Sequence, residues 1–336
     1  MSRYFAVPVF ALTALVACGR SDRSRTTSST SGATTPVVSG STAVNDSSDN
    51  VRPAAAPVTY ERAESTYGAG KYDEASQLFT AYTQTHSENP WGYYMLGMAA
   101  WRNGEPDQAL SAFDRSIELD PNHRKSLYNS GRVLLEMGQP EEAIKRIETA
   151  LGQEPASAEG LRLLGRARYH LGQVDQAIEA YHRALAVDSR DVWAMNNLGL
   201  IYIEQDRASE AVAPLARAVQ LRGNAPVFQN NLGVALERSG HPEAAARAYE
   251  AAIQVDSTYR KASVALARVT SVEPQSESEP VDLDRLAQEF ESQIESWAST
   301  PTDSDSTEVI PSAVTDSTTS SIEAKSDTVE ECEHEE

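Results

Sequence analysis

A period of 34 residues constrains this chain more than any other feature of its sequence. Glycine recurs at this spacing, at Gly97, Gly131, Gly165, Gly199 and Gly233, and alanine takes the same place near the two ends, at Ala63 and Ala267. Twelve residues after that column an alanine recurs, and four residues later a large apolar residue does, at Phe79, Phe113, Ile147, Tyr181, Leu215 and Tyr249. Self-similarity at a fixed period predicts a repeat architecture, in which each unit packs only against its neighbours.

Each unit is predicted to be a pair of antiparallel helices. Small residues in the first column let two helix backbones approach closely, and the large residue is expected to fill the space between neighbouring units. A glycine lies between the two columns at Gly70, Gly104, Gly138, Gly172 and Gly240. It supplies the turn that ends the first helix, because glycine adopts left-handed backbone without a steric penalty. Asp206 alone departs from that column.

These columns resemble the tetratricopeptide repeat, or TPR. The resemblance covers residues 57–271, as six units followed by a capping helix. It implies an all-α fold, a TPR solenoid of helical hairpins, whose first helices line a concave groove that holds peptides or other proteins. A disordered N-terminal tether and an acidic C-terminal tail are predicted to flank the solenoid.

The charge of the chain is unevenly distributed. The net charge is −20, and residues 272–336 carry 19 Asp or Glu against 2 Lys or Arg, whereas residues 57–271 carry 27 against 22. Because the acidity belongs to the C-terminal part and no basic surface is evident, a nucleic-acid partner is not expected. The sequence shows no small-molecule substrate site either.

The first 18 residues have the layout of an export signal. One early positive charge, Arg3, precedes a short apolar run, and the run ends in Leu15-Val16-Ala17-Cys18. The run is too short to span a bilayer. It resembles the signal of a bacterial lipoprotein, which implies that residues 1–17 are a lipoprotein signal peptide and that Cys18 is lipidated, with Gly19 favouring the outer membrane. An ordinary secretory signal with an incidental cysteine is the alternative.

Three further segments are predicted from composition. Residues 18–56 are rich in Ser and Thr and poor in large apolar residues, which is typical of a disordered tether. Residues 281–298 carry apolar residues at helical spacing and predict an amphipathic helix, which either caps the last unit or docks on a partner. Residues 299–336 are predicted to be a disordered acidic tail, which either solvates the protein or competes with ligands for the groove.

No arrangement of residues predicts catalysis, so the chain is not expected to be an enzyme. The six histidines have no metal-ligand spacing to one another, and Gly68-Ala69-Gly70-Lys71 lacks the rest of a phosphate-binding loop. We therefore expect no metal site and no cofactor. Once Cys18 is lipidated, Cys332 is the one remaining cysteine, either free or paired between molecules.

Candidate groove residues follow from the resemblance, because in TPR proteins fixed positions of each first helix face the concavity. Here those positions hold aromatic, amide and basic side chains: Trp91, Tyr94, Lys125, Tyr128, Asn129, Arg132, Arg162, Arg166, Trp193, Asn196, Asn197, Asn230, Asn231 and Lys261. Asparagine both donates to and accepts from a peptide backbone. Arg162 and Arg166, one turn apart, are placed to bind a carboxylate. Solvated polar residues on an ordinary helical surface are the alternative interpretation.

Some TPR proteins bind the C-termini of chaperones through a carboxylate clamp of Lys, Asn and Arg at these positions. The match here is partial, because Val227 interrupts the set formed by Arg162, Arg166, Asn197 and Asn231. The sequence therefore predicts a lipid-anchored scaffold or adaptor that binds other envelope proteins or peptides. Related possibilities are an assembly factor similar to pilotins or to outer-membrane assembly subunits, a regulatory arm that recruits an enzyme active on the cell wall or on glycans, and a self-assembling structural spacer.

Overall fold

A computed structural model describes residues 58–271 and 280–299, which form one unit of structure. Within them lie seven first helices, α1 Tyr60–Gly68, α3 Pro90–Arg102, α5 Arg124–Glu136, α7 Ala158–His170, α9 Val192–Glu204, α11 Pro226–Arg238 and α13 Arg260–Thr270. The second helices are α2 Tyr72–Thr85, α4 Pro106–Leu119, α6 Pro140–Gln153, α8 Val174–Val187, α10 Ala208–Leu221 and α12 Pro242–Val255. A last helix, α14, spans Leu283–Ser299.

The predicted all-α solenoid is confirmed, with no strand among the described residues. The predicted signal peptide, Cys18, the tether and residues 300–336 of the tail lie outside the described residues. In the part of the chain that is described, no helix has the length and hydropathy of a membrane span.

The turn between the two helices of a unit has a positive φ. It is between 70° and 86° at Gly70, Gly104, Gly138, Gly172 and Gly240, as the repeat predicted. Asp206 adopts the same backbone with φ 57°. Aspartate tolerates this left-handed region better than most residues because its short polar side chain bonds locally. The unit built on α9 and α10 therefore keeps its turn without a glycine.

The glycines of the first column lie in contact with the large residues of the third. A Cβ at Gly97 would lie 2.6 Å from the Phe113 ring, and one at Gly233 would lie 2.5 Å from the Tyr249 ring. Each pair belongs to a single unit, so the large residue packs first against the glycine of its own hairpin. It is also buried together with residues of the next unit, as Tyr249 is with Ala262 and Ala265, in line with the expectation that it fills the space between units. Close packing of this kind leaves no room for a methyl group.

The contacts between helices show which face of the solenoid is concave. First helices contact the first helices of the next unit throughout, as α9 and α11 do, whereas no second helix contacts another second helix in the described residues. An array whose first helices are close together and whose second helices are apart must curve around the first helices. Their exposed side chains therefore form the inner surface, and the second helices form the convex surface.

The helix α14 packs on the convex surface, against α8 and α10. Phe290 and Ile294 are buried in the cluster around Tyr181 and Leu185, and Ala287 is buried with Ala216. Polar contacts flank this apolar strip. Arg217 pairs with Glu291, and Gln220 donates to Asp284 with Nε2 2.8 Å from Oδ1.

The expectation that this helix caps the end of the last unit is therefore corrected. The outward side of α13 carries small or polar residues, Ser263, Ala267 and Thr270, which are exposed and offer little apolar surface. In three units one convex position of the repeat holds a carboxylate, at Asp114, Glu148 and Glu250. In the units of α8 and α10 the same position holds His182 and Ala216. An amphipathic helix is stabilised where it buries its apolar face without burying unpaired charge.

A pH dependence follows from the contact between His182 and Trp297, whose rings are stacked with centroids 3.9 Å apart. Burial lowers the pKa of His182 to about 4 from an ordinary value of 6.5. The unfolded or undocked state therefore binds the proton more readily than the docked state. We expect the stability of α14 to be fully present above pH 6.5 and to fall as the pH drops from about 6.5 towards 4.

This dependence is measured by hydrogen exchange of the α14 amides across that pH range, corrected for intrinsic exchange. The variant His182→Phe keeps an aromatic ring without a titrating group and should lose the slope. An equal slope in both proteins would contradict the assignment to His182.

Candidate peptide-binding groove

Aromatic side chains form the N-terminal part of the inner face. The side chain of Asn89 caps α3 and accepts from the backbone N–H of Trp91 at 3.0 Å. Trp91 is 46% exposed and meets Tyr94 edge-on at 5.7 Å, and Lys125 Nζ lies 5.6 Å from the centre of its ring. Burial raises the pKa of Tyr94 to about 12, so its hydroxyl stays protonated at neutral pH. This exposed aromatic surface with a cation beside it suits an apolar or acidic group.

His123 belongs to this aromatic cluster, although the sequence did not predict it as a groove residue. Its ring is buried, with its centre 4.5 Å from that of Trp91, and its Nδ1 accepts from the backbone N–H of Ser126 at 3.2 Å. Since Nδ1 accepts, the ring proton lies on Nε2. Burial lowers the pKa of His123, which keeps the ring neutral. The only sequence signal for His123 was its position immediately before the first turn of α5. At the equivalent position of three other first helices, Asn, Ser or Asp caps the helix.

The predicted basic residues of the middle units already have acidic partners. Arg132 pairs with Glu159 at 3.0 Å, and Arg162 pairs with Asp191 at 3.0 Å in a contact where both side chains are about nine-tenths buried. Asp191 also caps α9 by accepting from the backbone N–H of Trp193 and Ala194. A carboxylate ligand would therefore have to displace Asp191 from Arg162, which weakens the clamp interpretation.

The structure places the remaining predicted residues of these units in varied surroundings. Tyr128 is buried against α7, where Gly160 makes room for its hydroxyl. Asn129 accepts from Arg132 and donates to the carbonyl of Lys125. Arg166 and Trp193 are half-buried, and Trp193 contacts Phe228 edge-on at 5.0 Å. Tyr128 is thus a packing residue, whereas Trp193 borders the groove.

Four asparagines form one row of hydrogen bonds across α9 and α11. Asn230 donates to Asn231 at 3.2 Å, Asn231 donates to Asn196 at 2.8 Å, and Asn196 donates to Asn197 at 3.3 Å. Each of the four is at most 7% exposed. The row joins two units, so these amides stabilise the solenoid in addition to any contact with a ligand.

The row ends at a donor, because the Nδ2 of Asn197 is buried and has no acceptor among the described residues. The repeat explains why. Asn231 bonds to Asn196 of the preceding unit, and the residue 34 positions before Asn196 is Arg162, whose guanidinium has no acceptor atom. A buried donor without a partner costs about 1–3 kcal/mol, so this end of the row is locally destabilising.

A cavity of about 600 Å³ opens at the C-terminal end of the inner face, between α9, α11 and α13. Asn230 and Asn231 lie on its wall beside the aliphatic side chains of Leu200 and Val234, and Val264 is 63% exposed there. Arg268 forms two hydrogen bonds to Glu237, at 2.9 and 2.8 Å. The cavity combines amide groups, aliphatic surface and charged side chains, which is a composition suited to an extended peptide.

In this region the repeat pattern predicted Asn230, Asn231 and Lys261 but not the rest of the cavity wall. Val264 and Arg268 lie 102 residues after Arg162 and Arg166, so they occupy equivalent positions of the repeat. Aliphatic residues at these positions were overlooked because polar groups were taken as the sign of a groove. The 34-residue spacing also places Leu200, Val234 and Val264 at positions of the first helices that face the groove.

Comparison with known families identifies the repeat. Models described as tetratricopeptide repeat match residues 60–124, 128–181, 192–225 and 228–259, and one described as TPR repeat matches residues 165–206. Together the matches cover more than half of the chain. This chain belongs to the tetratricopeptide-repeat family.

Several solved structures are similar to this TPR protein, whereas no curated protein matches it. A MamA fragment from Desulfovibrio magneticus RS-1 has 25% identity, with 48% of this chain and 92% of that chain covered and a TM-score of 0.45. A thermophilic TPR protein from Thermus thermophilus has 22% identity, with 55% and 100% covered and a TM-score of 0.48. A tetratricopeptide repeat protein from Parabacteroides merdae ATCC 43184 has 15% identity, with 62% and 82% covered and a TM-score of 0.53, and it shows the fold alone.

Membership of this family makes the chain a repeat scaffold of the kind that binds peptide or protein partners. Across residues 58–271 and 280–299, no three His, Cys, Asp or Glu side chains are grouped as metal ligands. The groove offers hydrogen bonding, aromatic and aliphatic contact, and charge.

Proposed function

We propose that this TPR protein is a non-catalytic adaptor, anchored by lipid in a bacterial cell envelope, that holds extended segments of partner proteins along its inner face. The cavity between α9, α11 and α13, where the amides of Asn230 and Asn231 lie beside the aliphatic side chains of Leu200 and Val234, is the observation that carries the binding part of the proposal. Amide side chains both donate to and accept from a peptide backbone whatever its side chains are. The exposed ring of Trp91 and the aliphatic wall at Val264 lie at the two ends of the same face and add side-chain contacts.

The binding role is tested by placing a photo-crosslinking amino acid at Trp91 or at Val264 in cells. Adducts to partner proteins are expected from both positions. Glu250, exposed on the convex helix α12, is the matched control and should give none. The partners recovered decide between an assembly factor and a regulatory arm for an envelope enzyme, and adducts from Glu250 alone would overturn binding on the inner face.

We expect Trp91→Ala to weaken partner binding strongly while leaving the fold intact. A buried aromatic anchor at an interface typically contributes about 2 kcal/mol or more, whereas an exposed side chain usually changes stability by about 0.5 kcal/mol or less. The control is Val255→Ala, because Val255 is 43% exposed, close to the 46% of Trp91, but lies on the second helix α12. Partner recovery and the melting temperature are measured for both. Equal recovery would remove Trp91 from the binding surface.

The anchoring part of the proposal rests on Leu15-Val16-Ala17-Cys18 after a short apolar run, with the outer membrane as the proposed location. Cys18→Ala should move the protein from the membrane fraction to the soluble fraction, because lipid attachment requires the cysteine thiol. Labelling with a radioactive fatty acid should disappear in the same variant. The matched control is Cys332→Ala, which should leave partitioning and labelling unchanged. Unchanged partitioning of the Cys18 variant would remove the anchor.

A further inference from the structure

The cavity between α9, α11 and α13 is a cationic site on an acidic array. Its wall carries four basic side chains and two carboxylates, Arg238, Arg260, Lys261 and Arg268 with Glu204 and Glu237. Residues 57–271 as a whole carry five more acidic than basic residues. Arg260 and Lys261 are exposed at the rim. The excess of positive charge favours an acidic ligand at this end of the inner face.

Two predicted cations of the middle units already have carboxylate partners. Arg132 and Arg162 form ion pairs with Glu159 and Asp191, and their charges are locally balanced. An acidic segment is therefore attracted more strongly to the cavity of α11 and α13 than to Arg132 and Arg162. Leu200, Val234 and Val264 line the same cavity, so the matching segment also carries aliphatic side chains.

Residues 300–336 form a long segment of the chain with this chemistry. It has eleven Asp or Glu residues and Lys325 as its one basic residue. Aliphatic residues lie among the acidic ones, as in Glu308-Val309-Ile310. The segment follows α14, whose Trp297 lies against α8. A length of 37 residues spans up to about 120 Å when fully extended, so the connection does not prevent it from reaching the inner face.

We propose that residues 300–336 occupy the cationic cavity of α11 and α13 and thereby compete with external partners for the inner face. Covalent attachment gives the segment an effective concentration of about millimolar order, which populates a contact that would be weak between separate molecules. Because the attraction is electrostatic, it weakens as salt rises and the Debye length falls below about 10 Å. The regulatory consequence rests on the proposed function, but occupation of the cavity can be measured without any partner.

The test uses a fluorescent synthetic peptide of residues 300–336, with serine in place of Cys332. It is titrated into the Cys18→Ala chain that lacks residues 300–336 and into the full Cys18→Ala chain. We expect the shortened chain to bind the peptide at least fivefold more tightly than the full chain at 50 mM salt, because the intact segment competes in the full chain. The difference should disappear at 0.5 M salt. Circular dichroism confirms that both chains are folded.

Charge reversal locates the site. In the shortened chain, R260E/K261E should weaken peptide binding at least tenfold. The variant R190E/R247E changes the net charge equally at exposed residues outside the cavity wall and should bind within twofold of the parent. Equal affinity for the full and shortened chains at 50 mM salt, or equal losses in the two charge variants, would overturn the proposal. In another outcome, the peptide binds as expected while the probe at Val264 crosslinks no partner in cells. That result would support occupation of the cavity by residues 300–336 and would contradict partner binding at this cavity.

Discussion

Replacing Gly233 by alanine is expected to destabilise the C-terminal units by about 1–3 kcal/mol, the usual cost of overpacking a filled core. The new Cβ would lie 2.5 Å from the Tyr249 ring. That ring has little freedom to move, since it is fully buried and its hydroxyl donates to Glu237 at 2.8 Å. Glu237 in turn binds Arg268 in the cavity wall. The substitution should therefore disturb the cavity as well as the hairpin, and leucine should do so more strongly.

The measurement is hydrogen exchange resolved by unit, together with the melting temperature. Coupling in a repeat array is between nearest neighbours, so protection should fall most in α11, α12 and the adjacent helices. Gly165 is expected to be more tolerant, because a Cβ there would lie 3.0 Å from the Tyr181 ring. The control is Gly152→Ala in α6, where no atom lies within 4 Å and alanine should stabilise the helix by up to about 1 kcal/mol. Equal effects of the Gly233 and Gly152 substitutions would contradict the packing assignment.

Phe290→Ala is expected to undock α14. Phe290 is 3% exposed and lies in the cluster of α8 and α10, and removing a buried phenylalanine side chain typically costs about 3–5 kcal/mol. Besides Phe290, α14 buries Ala287 and Ile294 fully and Leu283, Leu286 and Trp297 in part, so Phe290 is its largest fully buried side chain. The loss should therefore be concentrated in α14, leaving the units of α1 to α6 protected.

Undocking is observed as rapid hydrogen exchange throughout α14 and as a red shift in the emission of Trp297, measured with the other three tryptophans replaced by phenylalanine. Gln293→Ala is the matched control, since Gln293 is exposed on the same helix. Its α14 protection should be that of the parent. Unchanged protection in Phe290→Ala would show that the convex contact does not hold the helix in solution.

Much of the groove's position could be predicted from the sequence. Less could be predicted about which side chains in the groove are available to a ligand. The repeat placed Trp91, Asn230 and Asn231 on first helices, and these helices do form the inner face. It could not show that Arg162 is occupied by Asp191, because an ion pair between residues 29 positions apart depends on side-chain geometry. Val264 was overlooked for a different reason, since it lies at a groove position of the repeat but its side chain is aliphatic.

The sequence by itself determined the hairpins, their turns and their number in this TPR protein. These features rest on local chemistry repeated every 34 residues: small residues where helices touch, large ones opposite them, and glycine or Asp206 where φ is positive. The tertiary structure decided where α14 packs, which cations of the inner face are paired with carboxylates and how the asparagines join into one row. Those outcomes depend on contacts between units, such as Asn231 with Asn196 and Arg217 with Glu291, whose partners no local pattern specifies.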